Sequence, residues 1–120
     1  SHADSVLVRV TGVLPGLIPL EAVRVAPPIV RPGRAEAARI HFDLGRVQAP
    51  VPVSVSILSL SGRVVRHLLE DELLTAGPIA VAWDGMDDFG QPLVPGLYVC
   101  RIEAKAERGQ TVLKTVGVAY

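Results

Sequence analysis

AVAWDGMDDFGQPLVPGLYVCRI, running from Ala80 to Ile102, holds the only Trp of the chain (Trp83), three Asp residues (Asp84, Asp87 and Asp88) and the only Cys (Cys100). Its reading decides the fold. As chemistry it describes a metal or redox centre; as structure it describes two β-strands and the loop between them. A calcium loop of the D-x-D-x-D-G type presents oxygen donors at alternate positions. The spacing here is D-G-M-D-D-F-G, which does not fit. Asp84-Gly85 and Asp88-Phe89-Gly90 read instead as successive turns, in which Asp oxygens accept backbone N–H groups and Gly takes positive φ. Beyond the loop, Tyr98, Cys100, Ile102 and Ala104 alternate with Arg101, Glu103 and Lys105, the period-two signal of a strand packed on one side. Cys100 falls on the apolar face, where a free thiol is buried and inert.

The same alternation recurs on both sides of this stretch. Upstream, ARIHFDL places Ile40, Phe42 and Leu44 on one face and Arg39, His41 and Asp43 on the other. PVSVSILSL (Pro52 to Leu60) sets Val53, Val55 and Ile57 inward against Ser54, Ser56 and Leu58, and Ser61-Gly62 turns the chain into RVVRHLL as a hairpin. EDELLTAG (Glu70 to Gly77) reads as an irregular loop ended by Gly77-Pro78. PIAVAW and TVLKTVGVAY read as strands, the latter after a turn at Arg108-Gly109-Gln110. Toward the N-terminus, SVLVRV (Ser5 to Val10) and EAVRV (Glu21 to Val25) alternate as well, separated by the breakers Pro15, Gly16 and Pro19. APPIVRPG is an extended crossing or edge segment. About seven or eight short strands with frequent turns predict an all-β, immunoglobulin-like or fibronectin III-like antiparallel β-sandwich. The expected organisation is an N-terminal arm with one strand over residues 1–20 and a sandwich over 21–120.

Composition agrees with this class and excludes others. A chain of 120 residues suits one domain that buries roughly two-thirds of its unfolded surface. Hydrophobic residues are 49% and aromatics 4%, so Val, Leu, Ile and Ala fill the core, a strand-favouring palette. Twelve basic residues against twelve acidic ones leave zero formal charge, and no field steers the chain to nucleic acid or an anionic membrane. One Cys rules out an internal disulfide. No apolar run approaches the roughly 20 residues of a membrane span, and SHADS is not a signal peptide.

Other chemistry-bearing residues are scattered. His41 points outward, His67 sits at a strand end and His2 lies at the start; they lack the spacing of metal ligands or an acid-base pair. Glu70, Asp71 and Glu72 form a short charge run of the kind that faces water. Phosphate loops, nucleophile elbows and zinc helices are missing. The expectation is no enzyme, no metal and no cofactor.

Four motifs in one order carry a resemblance: L-S-G-R-V-V-R-H-L (Leu60 to Leu68), T-A-G (Thr75 to Gly77), A-W-D-G-M-D-D-F-G (Ala82 to Gly90) and P-L-V-P-G-L-Y-V-C-R-I (Pro92 to Ile102). Together they resemble the immunoglobulin-like domain of the flagellar hook-capping protein FlgD and the related C-terminal type A sorting domains of the type IX secretion pathway. The match covers Arg31 to about Tyr120. Leu58-Ser59 stands where relatives often carry Tyr-Asp, and Pro27-Pro28-Ile29-Val30 where they often carry P-N-P-F. The resemblance implies structural roles for Gly62, Arg63, Trp83, Asp84, Gly85, Asp88, Gly90, Gly96 and Tyr98, with Trp83 plugging the edge of the core, Gly85 and Gly90 shaping the loop and Pro95-Gly96 setting the bend before Tyr98. It also implies a non-catalytic module of a bacterial protein, secreted or on the cell surface, that meets protein partners: copies of itself or a larger parent. Three uses follow from that: an assembly or accessory domain, a sorting or anchoring domain, and a carbohydrate- or protein-binding module. Within the first, Val6, Leu7, Val8 and Val10 form the candidate assembly strand, which docks on its own sandwich or adds to a neighbour's open edge.

Overall fold

The computed structural model describes residues 20–33, 37–45, 49–105 and 109–120, together with the backbone of 5–6. Its strands are β1 (Ser5–Val6), β2 (Leu20–Ala26), β3 (Ile29–Val30), β4 (Ala38–Leu44), β5 (Val51–Leu58), β6 (Val64–Leu74), β7 (Gly77–Trp83), β8 (Gly96–Ala104) and β9 (Gln110–Val118). They form an all-β sandwich of the immunoglobulin-like kind. One sheet runs β1-β9-β8-β5-β6, with β3 also on β9, and the other runs β2-β4-β7. Seven strands are long and two, β1 and β3, have two residues each. Both short strands lie on the outer edge of β9: β1 is antiparallel at Leu113 and Lys114, and β3 is parallel at Gly117 and Val118.

The expected faces are present where alternation is clean. In β4, Ala38, Ile40, Phe42 and Leu44 are buried, and in β8 so are Tyr98, Cys100, Ile102 and Ala104. These residues belong to one core cluster, and Val53, Val55 and Ile57 of β5, the neighbour of β8 in its sheet, extend the β8 face of it. Burying one such side chain contributes roughly 1.5–3 kcal/mol, so the alternation alone specifies which face turns inward. Trp83, at the end of β7, is 1% exposed and its ring stands edge-on to Tyr98 across the two sheets, 6.4 Å between centroids at 69°. Gln110 ties the sheets together elsewhere: its buried side chain accepts from Leu20 N at 2.8 Å and donates to Leu20 O at 3.3 Å.

Two expectations from the sequence are corrected, and a third falls mostly outside the described residues. Glu70 to Leu74 is not loop but the second half of β6. The alternation is broken there because Glu70 and Asp71 together oppose Ser54, a bulge flanked by the pairs Val53–Glu72 and Val55–Leu69. Asp71 takes φ 50, a conformation that Asp tolerates better than most residues. Its backbone N–H donates to Ser54 Oγ and its carboxylate meets Lys105 Nζ at 2.5 Å. Second, Ser56 and Leu58 are buried although they sit on the solvent side of β5. That strand is internal to its sheet, and Ser56 is flanked by His67 and Arg101 and Leu58 by Val64 and Val99. Third, of the expected strand Ser5 to Val10 only Ser5–Val6 is described as β; Leu7, Val8 and Val10 lie outside the described residues.

Candidate functional site

The W-D-G loop leaves β7 at Trp83 and returns to β8 at Gly96, and its carboxylates are turned to backbone and cationic partners. Asp84 Oδ1 accepts from Met86 N at 3.0 Å and from Arg66 Nη1 at 3.1 Å. Asp87 Oδ1 accepts from Phe89 N and Gln91 N, both at 2.9 Å, so Asp87 caps the turn that the sequence reading gave to Asp88. Asp88 instead reaches out of the loop to β6. Its N–H donates to Val65 O at 3.0 Å, and its Oδ1 accepts from His67 N at 2.8 Å. Asp88 thereby serves as a one-residue strand on the outer edge of β6, satisfying a donor and an acceptor that an edge otherwise leaves to water.

Two side chains of β6 close this junction. His67 Nδ1 lies 2.6 Å from Asp88 Oδ2, and Arg66 reaches over the loop so that its Nη1 also donates to Met86 O at 3.0 Å. The indole Nε1–H of Trp83 donates to that same carbonyl at 3.0 Å. Met86 O is thus the point where the core plug, the loop and β6 meet. The His67 backbone N–H, then the His67 ring, hold the Asp88 carboxyl below the usual carboxylate range, because hydrogen bonds to the charged form favour it. Gly85, at φ 85, packs so closely on Pro32 that a Cβ there would sit 2.8 Å from Pro32 Cγ. Only glycine meets both demands.

The other residues singled out in the sequence are placed around this junction. Gly90 (φ 79) ends the loop's last turn, with its N–H on Asp87 O at 3.1 Å, and Gly96 (φ 151) starts β8. Tyr98 OH donates to Val94 O at 2.7 Å, closing the bend at Pro95-Gly96. Gly62 (φ 95) and Arg63 belong to the β5–β6 turn, where Gly62 N donates to Ser59 O and Ser59 N to Arg63 O. The arginine that reaches the loop is Arg66. Arg66, His67, Asp87 and Gln110 were not singled out as site residues. For Arg66 a signal existed, since it is the second Arg of the G-R-V-V-R motif.

The described residues contain no group of three or more His, Cys, Asp and Glu that could hold a metal ion. Cys100 is buried, with its thiol pushed up to about 12 by desolvation, which keeps it from forming the reactive thiolate. Arg24, His41, Asp43 and Pro78 line a shallow hollow on the outer face of the smaller sheet. What the polar geometry can do is hold a loop to a sheet edge. No helix of the described residues is long and apolar enough to cross a membrane.

No known protein family profile matches the chain, and no curated protein is similar to it in sequence. Solved structures are similar in fold. PorZ of Porphyromonas gingivalis, described as an essential bacterial surface component of the type-IX secretion system, aligns with a TM-score of 0.55 at 19% identity over 82% of this chain. The chain spans only 12% of that PorZ chain. FLGD from P. aeruginosa aligns with a TM-score of 0.53 at 20% identity, over 78% of this chain and 72% of that one. At such identities the likeness is one of fold alone.

Proposed function

We propose that the protein is a non-catalytic structural module of a bacterial secreted or cell-surface protein, acting through strand and loop contacts and not through bound chemistry. The observation that carries this reading is the W-D-G junction. The residues most like a site, Asp84, Asp87, Asp88, Arg66 and His67, are engaged in mutual and backbone hydrogen bonds that seal the edge of β6. The fold likeness to PorZ and FLGD, one a surface component and the other a flagellar protein by name, supports the same reading.

Within it, residues 1–20 act as an arm and 21–120 as the sandwich. Ser5–Val6 pairs with β9 of its own chain, which favours an arm that closes its own edge. The same antiparallel register is open to the arm of a neighbouring copy, which would join subunits head to tail into a filament. Deleting residues 1–14 and following assembly by size-exclusion chromatography and electron microscopy decides between them. An arm held on its own sandwich predicts lower thermal stability with assembly unchanged; loss of polymer on deletion supports the filament. A deletion that changes neither stability nor assembly refutes a structural role for the arm. Sorting or anchoring use is tested by fusing the chain to a reporter and following its release to the surface.

A further inference from the structure

The sandwich guards its strand edges unequally. On the outer edge of β9 lie β1 and β3. The outer edge of β6 is met by Asp88 at Val65 and His67, and farther along it carries the bulge and the charges of Glu70, Asp71 and Glu72. Edge strand β2 is kinked by a second bulge, with Ala22 at φ 54 between Glu21 and Arg24. Bulges, charges and covering segments are the means by which native edges avoid pairing with other chains. Among the described residues β7 has none of the three; its one protection is Pro78, whose missing N–H removes a single outward donor. Among those residues it pairs with β4 alone, in unbroken register from Ala38–Trp83 to Leu44–Gly77, and it carries no ionisable side chain from Gly77 to Trp83.

The side chains of β7 show the same openness. Ile79 and Val81 face the core, opposite Phe42 and Ile40 in β4, yet both are only half-buried while Phe42 and Ile40 are 2% and 1% exposed. The backbone is polarised toward the open edge. Pro78 has no N–H, and a proline within a sheet sits with that position facing away from its neighbour. Since Pro78 pairs with Asp43, the even-numbered residues Pro78, Ala80 and Ala82 direct their outward groups to the free edge.

We propose that β7 is a self-pairing edge, through which two copies of this chain associate antiparallel about a twofold axis at Ala80. The strand is complementary to itself. In that register Ala80 exchanges both backbone bonds with the partner's Ala80, Ala82 N–H reaches the partner's Pro78 O, and Ile79 lies against the partner's Val81, a favourable pairing of β-branched residues. A twofold contact brings each residue near its own mate, so an edge with charges at its centre, such as Glu70 to Glu72 on β6, opposes like with like. On β7 nothing repels. The product is a six-stranded sheet continuous across two sandwiches, formed at a different edge from the one the arm occupies and independent of the arm's role.

The test uses the full chain and variants at Ala80, whose side chain is exposed and outside the core. Sedimentation equilibrium of the wild type should show a concentration-dependent monomer–dimer equilibrium. Ala80→Pro removes the outward donor without touching the β4 ladder, and should weaken association roughly 30-fold, as expected for two symmetry-related hydrogen bonds. Because a proline variant can lose its fold, the second pair is Ala80→Lys and Ala80→Glu. Each alone should be monomeric through like-charge opposition, and an equimolar mixture should dimerise again. Ala80→Cys should form a disulfide-linked dimer on oxidation, since the paired Cα atoms lie about 5.5 Å apart, whereas Thr115→Cys, exposed on β9, should not. A wild type that stays monomeric, a dimer that survives both charge variants, or a mixture that fails to restore it overturns the proposal. So does a dimer lost on deletion of residues 1–14, which would belong to the arm.

Discussion

Met86 O accepts two hydrogen bonds, from Trp83 Nε1 and from Arg66 Nη1, each at 3.0 Å. A carbonyl with two donors is protected against losing either one, and this makes a quantitative prediction. Trp83→Phe keeps an aromatic ring in the core but removes a donor and part of the indole. Its expected cost is about 2 kcal/mol, half from the hydrogen bond and half from the residual cavity. Arg66→Met retains the apolar stem while removing the bond to Met86 O and the exposed ion pair with Asp84, for about 1 kcal/mol. The double variant leaves a part-buried carbonyl without either donor, and so should cost about 1 kcal/mol more than the sum of the single variants. At about 4 °C per kcal/mol for a domain of this size, the double variant should melt some 16 °C below wild type. Urea unfolding at pH 7 is the assay, followed by far-UV circular dichroism because Trp83 is the only tryptophan and its fluorescence disappears with the substitution. An unchanged m-value confirms that the same surface is exposed on unfolding. Additivity within about 0.4 kcal/mol would refute the shared acceptor.

Trp83→Ala should cost about 3–5 kcal/mol, the scale for deleting a large buried aromatic, measured in the same way. Gly85→Ala combines a positive φ with the close approach of Pro32 and should cost about 2–4 kcal/mol; Pro32→Ala in the same chain should restore the packing part but not the backbone part. Asp88 has its carboxyl lowered in the fold, so its contribution is complete above the ordinary carboxylate range and lost as pH falls through and below it. The stability gap between wild type and Asp88→Asn should therefore be wide at pH 7 and close on titration toward pH 3. Cys100, with its thiol raised to about 12, should react with a disulfide reagent at pH 8 only as fast as the sandwich opens, and fully in denaturant. Calcium or chelator should leave the melting temperature unchanged, since a bound ion would raise it by mass action.

Period-two alternation makes β4 and β8 legible in the sequence itself, because burying one face of a strand leaves no freedom in which residues turn inward. The turn chemistry of Asp and Gly likewise marked the loop between Trp83 and Gly96. What alternation could not carry is a break in its own period. β6 reads in sequence as strand and then loop because the bulge at Glu70 and Asp71 interrupts the pattern where Ser54 opposes two residues in place of one. The bulge exists because Asp71 finds Ser54 and Lys105 beside it, and neither is near it in sequence.

The same reason separates what the residue order determines from what folding decides at the candidate site. A strand's face is a property of its own residues; its neighbour is not. Nothing local says that Asp88 lies against His67, 21 positions away, or that Gln110 clamps Leu20 across 90 positions. Nor does the alternation of Ile79, Val81 and Trp83 say that, among the described residues, β7 ends its sheet with no strand beyond it while Asp88 meets the edge of β6 and β1 and β3 meet that of β9. Edges are created only when sheets assemble, because an unpaired N–H is defined by the strand that is not beside it. The amino-acid pattern thus specified faces, turns and core, and tertiary packing alone assigned neighbours, edges and the work of the acidic loop.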